Sequence, residues 1–373
     1  MRFASNKYYT YFFVLALLIS LFIGGCGDSD VIEDPNDLTS IDYSPTSYEV
    51  PQIDGFPVMP VAPNNPLTVE GIFLGRKLFY DPILSADSTM SCASCHLPEL
   101  SFTDNLATSA GIDGIFGKRS SMSLLNVGYY TNGFFWDGRV GTLEEQALLP
   151  VEDPIELHDR WPNVVMKLQR HQDYPADFRR AFGIDNKSQI NRELAARAIA
   201  QFETSLISSG NSKYDRVVRK EEFFTEAEEN GFLMFFDAAP GRLPDAECGH
   251  CHNAPLFTTN EYANNGLDEV LDLNNYIDKG RGTFTRVLND NGQFRIPTLR
   301  NISFSAPYMH DGRFATLEEV IDHYISGGQY ADNRHPLIQP LGLSEAQKAD
   351  LLAFIRTLDD VDALQNPAYQ NPF

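Results

Sequence analysis

The hydrophobic pattern divides the chain into one long apolar run, a polar stretch and a body of amphipathic segments. The run covers residues 8–23 and is preceded by Arg2 and Lys7. Residues 27–65 are rich in Asp, Pro and Ser and carry little helix or strand signal. Helical spacing dominates beyond them. Residues 192–207 place Leu194, Ala198, Phe202 and Leu206 on one stripe at i, i+4 spacing, which predicts a helix. Residues 344–358 open with Ser344-x-x-Gln347, a capping box, and carry Leu351, Leu352, Ile355 and Leu358. Strand-like alternation is scarce and short. The pattern predicts a mainly α fold.

The pattern also repeats. The first half reads Gly75-Arg-Lys-Leu-Phe79, Cys92-Ala-Ser-Cys95-His96, Leu124-Leu-Asn126, Asp137-Gly-Arg139 and Thr142-Leu-Glu-Glu145. The second reads Gly231-Phe-Leu-Met-Phe-Phe236, Cys248-Gly-His-Cys251-His252, Leu299-Arg-Asn301, Asp311-Gly-Arg313 and Thr316-Leu-Glu-Glu319. From Asp-Gly-Arg onward the copies keep a constant offset of 174 residues. Five blocks in one order point to two tandem domains related by internal duplication. The polar stretch 208–214 marks the boundary. Each Asp-Gly-Arg is expected in a loop, and each following Thr as an N-cap with acids in the first helical turn.

The Cys-x-x-Cys-His blocks carry the chemistry. Two thiols at this spacing add to the vinyl groups of a c-type haem, and the adjacent His is placed to bind its iron. The alternative is a zinc cage of four thiolates. However, His follows both pairs directly, and more than 150 residues separate them. Haem is therefore the reading: Cys92, Cys95 and His96 for one group, and Cys248, Cys251 and His252 for the other.

Five cysteines are present, and the fifth is Cys26. No pair remains for a structural disulfide. Small residues before Cys26, following the apolar run, resemble a bacterial lipobox. The organisation expected is a lipoprotein-type signal over 1–25, a flexible tether over 26–65 beginning at lipidated Cys26, and haem domains over 66–207 and 208–373. An uncleaved membrane anchor is the alternative, and either places the body outside the cytoplasm, on the periplasmic side of a bacterial membrane. Net charge is −22, and loss of Arg2 and Lys7 with the signal makes it −24. Such a surface disfavours nucleic acid and anionic membranes, leaving the lipid as the only membrane contact.

Taken together, Leu74-Gly-Arg-Lys-Leu-Phe79, Cys92-x-x-Cys-His96, Phe135-Trp-Asp-Gly-Arg139, Leu143-Glu-Glu-Gln146, Pro150-Val-Glu-Asp-Pro-Ile-Glu156 and Pro307-Tyr-Met-His-Asp-Gly-Arg313 resemble the bacterial di-haem cytochrome c peroxidase/MauG family. The resemblance covers nearly all of the chain from about Asn65. It implies two cytochrome c-like domains, a peroxidatic N-terminal haem, an electron-transfer C-terminal haem and a calcium ion between them. It makes Gln146 and Glu156 the distal-pocket pair that assists cleavage of hydrogen peroxide. A carboxylate in an apolar pocket suits the transfer of a proton from the inner to the outer peroxide oxygen. Trp136 matches a residue between the haems that carries electrons.

Three departures decide the subtype. Where classical members have a distal loop His, the stretch 108–114 has Ile112, so the N-terminal iron is expected to be five-coordinate. The C-terminal iron's sixth ligand, usually Met, falls on Tyr324, as in MauG, with His323 and Met309 as rivals. At the 174 offset Tyr324 matches Pro150, which has no ligating group. Where an Asn commonly contributes to calcium there is Ser120, so calcium is either lost or held by carbonyls near Arg295 and Pro297. The expected function is a peroxidase drawing electrons from a small cytochrome or other redox protein. The alternatives are a MauG-like oxidase of a protein side chain and a non-catalytic di-haem electron-transfer cytochrome.

Overall fold

Two helix crossings of the same kind organise the molecule, which is described here from a computed structural model covering residues 34–373. The apolar run, the signal and Cys26 lie outside the described residues. Residues from Leu38 onward form one unit. Helix α1 (Val69–Tyr80) starts at Thr68, whose hydroxyl accepts the Gly71 N–H. In the N-terminal half α2 (Leu143–Glu152), α3 (Trp161–Arg170), α4 (Tyr174–Phe182) and α5 (Arg192–Ser205) follow. Helices α1 and α5 cross at Gly75, where a Cβ would lie 1.8 Å from the Ala198 carbonyl oxygen, so no larger residue fits. The predicted stripe points inward: Ala198, Phe202 and Leu206 are buried, and Leu194 packs at the edge of the core. The helix stops at Ser205, one turn's fraction short of Ile207, with Leu206 as its cap.

In the C-terminal half come α6 (Lys213–Val218), α7 (Glu226–Phe235), α8 (Arg281–Thr285), α9 (Leu317–Ser326), α10 (Glu345–Arg356) and α11 (Val361–Leu364). Helices α7 and α10 cross at Gly231, where a Cβ would lie 2.1 Å from the Asp350 carbonyl oxygen. Helix α10 carries the predicted Ser344–Gln347 capping box. Its Leu351, Leu352, Phe354 and Ile355 pack on Met234, Phe235 and Phe257. The described residues contain eleven α-helices and a single two-stranded antiparallel sheet. In that sheet β1 (Tyr262–Ala263) pairs with β2 (Phe294–Arg295), and Tyr262 stands opposite Arg295.

Both Asp-Gly-Arg segments are loops closed by an antiparallel bridge, Phe134 to Val140 and Tyr308 to Phe314. Both end at a capping Thr, Thr142 for α2 and Thr316 for α9. Three observations bear on the partition expected from sequence. Residues 38–65 are not a free tether. They form an irregular strap in which Ile53, Phe56 and Met59 pack with Tyr129, Ile207 and Leu256. A few apolar residues scattered through this polar segment anchor it without periodicity. The chain end, assigned to the second domain, packs on the first: the Tyr80 hydroxyl donates to the Tyr369 carbonyl at 2.6 Å. The stretch 208–214, expected as the boundary, is pinned at both ends. Asn126 exchanges two hydrogen bonds with Ser208 (2.8 and 2.9 Å), and neighbouring Asp215 forms a buried ion pair with Arg300 at 2.8 Å.

Candidate haem sites and the seam between them

The first Cys-x-x-Cys-His folds as a tight turn. The His96 N–H donates to the Cys92 carbonyl at 3.1 Å, which turns the imidazole back over the turn. Nδ1 lies 2.7 Å from the Phe102 carbonyl, which can only accept, so Nδ1 carries the proton and Nε2 keeps its lone pair. The second turn repeats this arrangement. The His252 N–H meets the Cys248 carbonyl at 2.9 Å, and Nδ1 meets the Phe257 carbonyl at 3.0 Å. Burial lowers the pKa of His96 and brings that of His252 down to about 4, keeping both rings neutral as an iron ligand requires.

The two pairs of thiols pack in different hydrophobic clusters, Cys92 in one half and Cys248 in the other. Burial pushes all four thiols up, Cys95 to about 11. A shared zinc cage would need the four together and ionised. Among the described residues, the close grouping of metal-ligating side chains is Asp245, Glu247 and His250, which includes no cysteine. The donor sets therefore fit two separate haem groups.

On the N-terminal side, Gln146 and Pro150 lie one turn apart on α2, and Glu156 follows the helix. The Glu156 residue is exposed at the surface. The low polarity of the surrounding protein, with help from Asp153, still raises its pKa to about 7, and Arg139 opposes the shift. The distal loop lies directly against it: the Ile112 N–H donates to the Glu156 carbonyl at 2.9 Å. Gly111 makes this approach possible, since a Cβ there would sit 1.7 Å from the Ile155 carbonyl oxygen. His158, the nearest His in sequence after His96, pairs with Asp113 at 2.5 Å on the surface. Gln146 and Glu156 are not joined by a hydrogen bond among the described residues.

On the C-terminal side a cavity of about 230 Å³ opens over His252, lined by Tyr324, Met309, Ile321, Phe235 and Trp136 among others. The three rival ligands separate here. Tyr324 and Met309 face the cavity, whereas His323 lies outside its wall and spends Nε2–H on the Asn265 carbonyl at 3.0 Å. Asn265 was not visible as a site residue in the sequence, since nothing marks a lone loop Asn. Its Nδ2 donates to the Tyr324 hydroxyl at 3.3 Å and to Met309 Sδ at 3.4 Å, holding both. Burial raises Tyr324 to about 12.

Trp136 lines the same cavity, and its Nε1–H donates to the Ser120 carbonyl at 2.9 Å. Ser120 in turn donates from its N–H to the His310 carbonyl (2.8 Å) and from its hydroxyl to the Met309 carbonyl (2.9 Å). One serine thus ties the Asp-Gly-Arg loops of the two halves together. A second residue missed in the sequence is Glu203 on α5. It is 4 % exposed, its Oε2 has no hydrogen-bond partner, and burial raises its pKa to about 8.

The chain matches the family model described as di-haem cytochrome c peroxidase over residues 69–223. It is 35 % identical over 297 residues to the methylamine utilization protein MauG of Methylorubrum extorquens, covering 79 % of each chain. It is 32 % identical over 341 residues to the cytochrome-c peroxidase IdrP1 of Denitromonas iodatirespirans, covering 84 % of this chain and 88 % of that one. Among solved structures, a MauG-like protein associated with microbial copper homeostasis superposes with a TM-score of 0.80 at 33 % identity, over 87 % of this chain and 99 % of that one. With its two matching His-bearing turns and the extent of these similarities, the chain belongs to the di-haem cytochrome c peroxidase family.

Proposed function

We propose that this chain is a di-haem c-type peroxidase that reduces hydrogen peroxide at the His96 centre with electrons received through the His252 centre. As a member of its family it is an oxidoreductase with two haem groups. Cys92, Cys95 and His96 would hold one covalently, and Cys248, Cys251 and His252 the other. Haem at His96 supplies an iron that accepts a peroxide oxygen. The observation that carries the reading is the contrast at one helical register. Helices α2 and α9 start from equivalent capping Thr residues, and their eighth positions hold Pro150 and Tyr324.

Proline offers no donor atom, which leaves room opposite His96. There Glu156 takes the proton of the inner peroxide oxygen and returns it to the outer one. A pKa near 7 suits both halves of that transfer. Gln146 orients the peroxide, and Arg139 biases Glu156 toward its ionised form. Tyr324, held by Asn265 over the cavity that His252 lines, would join His252 in holding the second haem iron. Trp136, bonded to Ser120 at the seam, carries electrons between the centres. The matched loops, caps and glycine crossings support descent of domains 66–207 and 208–373 from one duplicated cytochrome c-like unit. We assign 1–25 as a signal and Cys26 as a lipidation site on the periplasmic face, consistent with haem attachment after export. The donor would be a small cytochrome or another redox protein.

The test is rapid mixing of the ferric protein with peroxide, followed by reduced cytochrome c. A peroxide-dependent change in the haem spectrum and rapid donor oxidation are expected, and an inert spectrum would overturn the reading. Tyr324 and Ile112 favour one second reading, a MauG-like oxidase of a protein side chain. A spectral response to peroxide with negligible cytochrome turnover would select it.

A further inference from the structure

We infer that Arg119 is a built-in cation that closes the seam between the two halves, in place of the calcium ion that the resemblance implies. The groups expected around calcium are otherwise engaged. The Ser120 hydroxyl is spent on the Met309 carbonyl, and the Ser120 carbonyl on Trp136. The Pro297 carbonyl faces the His252 ring. Arg295, whose carbonyl would be a ligand, buries its own guanidinium there over the Tyr130 and Tyr262 rings, at 4.6 and 4.9 Å. Its hydrogen bonds go to the Phe135, Asn132 and Gly133 carbonyls and the Tyr262 hydroxyl, and among the described residues no carboxylate pairs with it, so this place already holds a positive charge. Divalent cations need negative surroundings, and a buried guanidinium repels them.

One residue before Ser120, Arg119 does what a bridging ion would do. Its Nη1 donates to Asp137 Oδ2 at 2.8 Å, in the Asp-Gly-Arg loop of the N-terminal half. Its Nε and Nη2 grip both oxygens of Asp278, in the C-terminal half, at 2.7 Å each. This paired-fork geometry is the strongest a guanidinium makes with a carboxylate. The side chain is only 19 % exposed. It lies over the Phe294 ring, which stacks on His310 at 3.5 Å. Arg139 also pairs with Asp137, so the two aspartates face two arginines and no negative charge is left for a metal.

The test uses the full chain with both haems bound, dialysed and then analysed for calcium and melted with and without a chelator. The expected result is far less than one calcium per chain and a melting temperature unchanged by chelator. One tightly held calcium per chain, or a chelator-induced loss of several degrees restored by calcium, would overturn the inference. Arg119→Gln frees Asp278 and leaves Asp137 with Arg139 alone. It is expected to lower the melting temperature by about 5 °C and to make it rise again on adding calcium. A variant that melts like the parent and ignores calcium would also overturn it.

Discussion

The backbone N–H of Ile112 donates to the carbonyl of Glu156 at 2.9 Å, so the loop is tied to the main chain of the proposed proton-transfer residue. Gly111 permits the contact, because a Cβ would meet the Ile155 carbonyl oxygen at 1.7 Å. Gly111→Ala should therefore push the loop away and shift Glu156. The expected outcome is at least a tenfold fall in the peroxide reaction rate with unchanged haem content, read by stopped-flow absorbance.

Glu156 should set the acid limb of the pH profile. Its pKa of about 7 lies above the ordinary 4.5, and proton abstraction needs the ionised form. The rate constant for peroxide should rise with pH through about 7 and level off above it. Glu156→Gln should lower the rate by about a hundredfold or more and flatten that limb. A profile that keeps its shape in the variant assigns the titration to another group.

Glu203, whose pKa is also raised, predicts a stability effect that falls as the pH rises. Its folded pKa of about 8 exceeds the ordinary 4.5, through burial first and Glu144 second, and the thiol of Cys92 lies within its electrostatic reach. The folded state thus holds a proton that the unfolded state gives up. Its contribution is complete below about pH 4.5 and is lost as the pH rises through about 8. Glu203→Gln, uncharged at every pH, should melt like the parent at pH 4.5 and several degrees above it at pH 9. Parallel melting curves across that range would contradict a buried, protonated Glu203.

Asn265 holds Tyr324 and Met309 over one cavity, so the two potential ligands compete at a single place. Tyr324→Phe removes the hydroxyl while keeping the ring, leaving Met309 as the sulfur donor. A phenolate favours oxidised iron and a thioether favours reduced iron. The potential of the C-terminal centre should therefore rise by at least 100 mV, about 2.3 kcal/mol for one electron, in a spectroelectrochemical titration. An unchanged potential would remove Tyr324 from the ligand set.

The sequence spoke clearly where chemistry or helix geometry restricts residue type. The Cys-x-x-Cys-His turns, the capping Thr142 and Thr316, and the Gly75 and Gly231 crossings all leave local signatures, and each appears twice. The Pro150 and Tyr324 contrast followed from that repetition. Other features depend on single long-range contacts. Arg119 and Asp278 are 159 residues apart, and neither sits in a periodic pattern. Asn265 is an ordinary loop residue until the fold brings Tyr324 to it. The strap and the 208–214 stretch are polar in sequence, yet Ile53, Phe56 and Met59 of the strap are buried, and Ser208 and Ser212 are buried with hydrogen-bond partners. Composition reports polarity and is silent on satisfaction.

The shared carbonyl partner of His96 and His252 has a consequence for the electronics of both irons. A main-chain carbonyl is a weaker hydrogen-bond acceptor than a carboxylate, so neither imidazole is drawn toward imidazolate. Each ring therefore offers its metal the same modest electron push. The protein does not tune its two centres from the side on which they are bolted to the chain. On the proposed assignment, the difference between a reactive and a relay iron would then lie with residues such as those at positions 150 and 324, within reach of a single substitution.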